Sequence, residues 1–209
     1  HGGFVKAVKY YPAGATTNSE AGIARLERVY PALEAMEKYI PVVDTSIVFH
    51  AELHAGLCHY VTIQPLRVQA IKCLTEVASA STTVDSQRRQ LQLMLAETLR
   101  HVVTWLPPPT GDANSTDIGD QLMCLYDESG DDNDFVTALV QFLAAFHQKH
   151  LGTYTNGEPD MSNAAISTRL LIGATRIDEK ELFKICVDHW WSLGDFLVSP
   201  RTSHLSSAA

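Results

Sequence analysis

The residues best suited to chemistry stand in the first sixty positions. His50, His54 and Cys58 are spaced i, i+4 and i+8. On a helix they share one face, and two imidazoles with a thiolate suit zinc. The simpler alternative is an ordinary polar helix face. The pattern is not the H-E-x-x-H motif, because the glutamate stands at the wrong place. Upstream, Lys9-Tyr-Tyr-Pro-Ala-Gly-Ala-Thr-Thr-Asn-Ser19 reads as a strand running into a polar, glycine-containing loop of the kind that carries active-site donors. Further along, the acidic run from Asp127 to Asp134 lacks calcium-loop spacing and its terminal glutamate. It reads as a solvated helix N-terminus, where carboxylates complement the dipole. His101, His147 and His189 lie on or beside apolar helix faces and read as structural residues.

These residues need elements to position them. Residues 4–10 alternate loosely and suit a short strand, and 12–22 form a loop rich in Gly, Thr, Asn and Ser. Residues 23–39 carry Ile23, Leu26, Val29, Tyr30, Leu33 and Met36 at helical spacing, ended by Pro41. Residues 42–49, with Ile47, Val48 and Phe49, suggest a second strand. That makes a strand–helix–strand unit, the element of a parallel α/β fold.

Beyond about residue 60 only helical periodicity remains. Helices are expected over 66–79, 87–106, 118–126, 133–151, 162–175 and 178–197. Pro107-Pro108-Pro109 stops the second of these. Asp178 and Glu181 have capping-box spacing at the start of the last. Its buried stripe is Leu182, Ile185, Cys186, Trp190, Leu193 and Leu197. Helical pairs recurring about every 40 residues fit a HEAT-type solenoid, with a plain helical bundle as the alternative. The expected fold is therefore mainly α, a HEAT-like helical-repeat segment at 58–198. A short α/β fragment at 1–57 precedes it, and a disordered Ser/Ala-rich tail at 199–209 follows.

Composition narrows the function classes. The chain has 209 residues, 45% hydrophobic and 19% charged, with a net charge of −8. That charge, without a local Lys/Arg cluster, argues against nucleic acid and anionic membrane surfaces as partners. No apolar run reaches the roughly 20 residues a membrane span needs. The chain opens on His1 rather than Met and shows no charged-then-apolar leader, which suggests a fragment or processed chain. Cys58, Cys73, Cys124 and Cys186 form no CxxC and read as reduced thiols of a cytosolic or nuclear protein.

Two resemblances add to this reading. The run from Lys9 to Ser19 resembles the Lys-x-Tyr-Pro-x-x-x-Thr-Thr-Asn-Ser segment of dihydroorotases, zinc-dependent amidohydrolases of pyrimidine biosynthesis. The segment 42–53 is closer to the related allantoinases. The resemblance implies a carboxylated Lys9 bridging two zinc ions, loop donors at Thr16 and Thr17, and a metal-ligand histidine at His50. A carbamate offers each metal an anionic oxygen, and the metals acidify a bridging water. The family's His-x-His pair occurs nowhere in this chain, and a full barrel takes ~250 residues. An incomplete site is therefore what this resemblance implies.

The second resemblance covers about residues 66–197. Arg67-x-x-Ala-Ile-Lys-Cys-Leu-Thr-Glu-Val77, the helix through Phe135, Leu139, Phe142 and Leu143, and Glu181-Leu-Phe-Lys-Ile-Cys-Val-Asp-His-Trp190 are similar to successive helices of nuclear exportins. These are the importin-β-like receptors for leucine-rich export signals. The blocks keep the family's order, with longer stretches at 105–130 and 152–160. The resemblance implies a scaffold segment in the nucleus and cytoplasm, with the GTPase Ran and export cargo as partners and no cofactor. The family's export-signal groove lies further along the solenoid than this match reaches, so the segment is expected to lack it. The expected activity is that of a transport scaffold rather than an enzyme, with the amidohydrolase as the alternative.

Overall fold

The computed structural model describes residues 20–107, 117–128, 130–150 and 161–198. Among these residues every regular element is helical. They are α1 (Glu20–Tyr39), a 3-10 turn (Ile40–Val42), α2 (Thr45–Val48), α3 (Ala51–Val61) and α4 (Gln64–Ser79). Then follow α5 (Asp85–Trp105), α6 (Ile118–Glu128), α7 (Gly130–His150), α8 (Met161–Thr175) and α9 (Lys180–Val198). The expected mainly α fold is the one observed. The expected strand at 4–10, most of the following loop and the expected tail at 199–209 lie outside the described residues.

The expected second strand at 42–49 is not formed, so the strand–helix–strand fragment is not seen. The Asp44 carboxylate accepts from the Ser46 backbone N–H at 2.8 Å and starts α2 instead. A β-branched run makes a strand only where another strand pairs with it, and the described residues contain none. Val48 and Phe49 are buried by the turn, and the Val48 carbonyl accepts from His54 Nε2 at 2.8 Å. The expected boundary between residues 57 and 58 falls within α3, whose Leu57 and Cys58 are both buried.

The helices stack in two rows. One row runs α1, α4, α7, α9, each packed on the next. The other runs α3, α5, α8. α3 packs on α4 and α8 on α9 across the rows, while α6 lies against both α7 and α8. Each row skips the helices of the other, which is how a helical-repeat stack is built. Proline at the start of α4 costs nothing, since the first-turn N–H groups have no intrahelical acceptor. α4 buries Leu66, Ala70, Ile71, Leu74, Val77 and Ala78. α7 buries Phe135, Val136, Leu139, Val140, Phe142, Leu143 and Phe146, faces on more than one side of the helix, because it is enclosed by neighbours. α6 and α8 meet at Gly119 and Gly173. A Cβ on Gly119 would lie 2.9 Å from the Arg169 carbonyl oxygen and 3.1 Å from Gly173 Cα, so the crossing requires glycine.

Polar side chains fasten the rows. Gln69 Nε2 donates to Glu37 at 2.5 Å, and Cys73 Sγ donates to the Leu33 carbonyl at 3.2 Å, tying α4 to α1. His150 Nε2 meets the Ala78 carbonyl at 2.7 Å, satisfying a last-turn acceptor of α4 from α7. Burial pushes the Cys58 thiol up to about 11 and that of Cys73 up to about 12. Such thiols stay protonated donors at neutral pH.

Arg67 joins three helices. From α4 its guanidinium pairs with Asp132 of α7 and lies 4.7 Å from the Phe135 ring centre and 5.5 Å from that of Trp105 of α5. Its side chain is 10% exposed and that of Asp132 is 21%, so this is not a solvent-screened surface pair. Removing one partner of such a pair strands the other charge. Arg67→Ala is expected to lower the unfolding free energy by about 3–5 kcal/mol, read from urea denaturation followed by circular dichroism. A loss under about 1 kcal/mol would show that water already screens the pair.

Candidate functional site

Lys9, Thr16 and Thr17 lie outside the described residues. His50 is exposed and occupies the N-cap of α3 without a capping side-chain hydrogen bond. His54 and Cys58 turn into the core instead. His54 donates to Val48, and the Cys58 thiol lies 3.8 Å from the Met94 carbonyl and 3.7 Å from Thr98 Oγ1 of α5. His50, His54 and Cys58 therefore do not converge, since one faces water and two are spent on packing. Among the described residues no group of three or more His, Cys, Asp or Glu is placed to hold a metal ion.

The polar side chains that do converge lie between α7, α8 and α9. His147 Nε2 is 2.7 Å from Ser167 Oγ, and Ser167 Oγ donates to the Ala164 carbonyl at 3.0 Å. Ser167 is fully buried, so the pair presents no hydroxyl to a substrate. The His189 ring packs 5.1 Å from the His147 ring and 4.7 Å from the Trp190 ring, and Trp190 Nε1 donates to Thr175 at 3.0 Å. Both His189 ring nitrogens are buried without a hydrogen-bond partner.

Two adjoining clefts open over this cluster. One of about 210 Å³ is lined by His147, Lys149, His189, Leu193 and Phe196, among others. The other, about 280 Å³, includes Gln141, Gln148, Ile185, Asp188 and Ser192. They are shallow grooves between two helices with polar rims. Their geometry suits a side chain from a protein partner better than an enclosed small substrate.

Sequence reading placed His147 and His189 on apolar faces, and both are buried. It missed Ser167 as the partner of His147, because twenty residues separate them and no local pattern links the two. It also treated Arg67 only as part of a motif. The available signal was a cation on the stripe of Leu66, Ala70, Ile71 and Leu74, which demands a buried partner. Asp132 is that partner, so the acidic run is not wholly solvated. The cap of α9 differs too. Glu179, not Asp178, accepts from the Glu181 N–H at 3.2 Å, because the helix starts at Lys180.

Burial holds His147 neutral, lowering its pKa from 6.5 to about 4, with the neighbouring His189 adding to the shift. Burial also lowers His54, His150 and His189. Between pH 6.5 and about 4 the unfolded chain binds the proton that folded His147 refuses. Stability from this group is complete above its unfolded pKa and is lost as pH falls towards 4. His147 alone accounts for about 3 kcal/mol of that loss. The urea midpoint should fall between pH 7 and 4.5, and His147→Gln, which keeps a donor to Ser167, should flatten the dependence. An unchanged pH profile in the variant would remove His147 from the account.

Comparison with known proteins gives two kinds of relative. No protein-family profile matches the chain. Protein EXPORTIN 1A of Arabidopsis thaliana is 25% identical over 169 residues, 81% of this chain and 15% of the relative. Dihydroorotase of Azotobacter vinelandii is 52% identical over 52 residues, 24% of this chain and 15% of that protein. Dihydroorotase of Cupriavidus taiwanensis is 67% identical over 36 residues, 17% of this chain and 10% of that protein. The chain spans no more than about 15% of the length of these relatives. A match of 169 residues within 209 has to begin within the first 41, so the exportin likeness takes in α3 and the α4–α7 pair.

Proposed function

We propose that this chain is a segment of the helical-repeat scaffold of a nuclear export receptor. In this reading it contributes to binding GTP-loaded Ran and acts within a receptor that carries export cargo between nucleus and cytoplasm. The observation that carries it is the two-row helix stack coinciding with a likeness to an exportin over most of the chain. Helices set in rows offer side chains at regular steps along a surface, and proteins use such surfaces to hold other proteins. The cargo groove itself is not assigned to any residue here. Immobilised chain should retain Ran loaded with GTP in preference to Ran loaded with GDP. Equal retention of both forms, or of neither, removes Ran from the reading.

A second reading rests on the high local identity to dihydroorotases. In it the N-terminal segment belongs to a zinc-dependent cyclic amidohydrolase, with Lys9 as a carbamate ligand, His50 as a metal ligand and Thr16 and Thr17 as substrate donors. The predicted result is stoichiometric zinc and hydrolysis of dihydroorotate, both lost in Lys9→Ala. A zinc-dialysed chain that carries no stoichiometric metal ends this reading.

A further inference from the structure

We draw no further inference here: the strongest candidate, the two clefts between α7 and α9 beneath which both His189 ring nitrogens lie buried without a hydrogen-bond partner, belongs to the site already described, and with Lys149 lining one cleft and Asp188 the other nothing in the structure shows what occupies them.

Discussion

The guanidinium of Arg67 decides how three helices meet. It is drawn from α4 into a space bounded by Trp105 of α5 and Phe135 of α7, and Asp132 neutralises it there. A charge so placed is tolerable only with its partner and the ring faces in position. The α4–α7 contact is the central step of its row, and α1 and α9 are added at either side of it. Sliding α7 by one turn along α4 would leave Arg67 among apolar side chains without its carboxylate. Hydrophobic burial favours contact between these helices, but many offsets would bury similar area. The ion pair selects one of them.

The same division of labour recurs along the rows. The apolar stripes bring helices together, and a few polar side chains reach from one helix to a backbone carbonyl of the next. Cys73 bonds Leu33, His150 bonds Ala78, and the Cys58 thiol approaches Met94. Each joins a helix to its neighbour in the same row. Neutrality makes these contacts tolerable: the thiols are held protonated and the imidazoles uncharged by burial. Cysteine and histidine therefore act here as small structural donors, which is why residues that suggested a metal site become packing residues.

What could be read from the sequence was what is encoded locally. The helix expected over 66–79 follows from 3.6-residue spacing, and its Leu66, Ala70, Ile71, Leu74, Val77 and Ala78 are buried. The segment at 42–49 was misread because Ile47, Val48 and Phe49 favour a strand only with a neighbour to pair, and no local pattern reports that neighbour's absence. Asp132 lies 65 residues from Arg67, and Ser167 lies 20 from His147. Those contacts belong to the stacking of rows, not to any window of sequence. The stripe expected for α9 holds at Leu182 and Cys186, but Leu197 at its far end is 69% exposed.

The two likenesses meet physically in α1 and α3. Val29, Leu33 and Met36 of α1 are buried in the same core as α4, and Glu37 is tied to Gln69. α1 is thus the first member of its row among the described residues. His50 shows what that placement does to chemistry. A barrel enzyme delivers its ligands from the C-terminal ends of several strands, so that they converge on one point. Here His50 precedes a helix and points to solvent, while its neighbour Phe49 is buried. A stacked row spreads its side chains along a surface instead of gathering them in a pocket. Such a geometry favours extended contact with another macromolecule over an enclosed pocket.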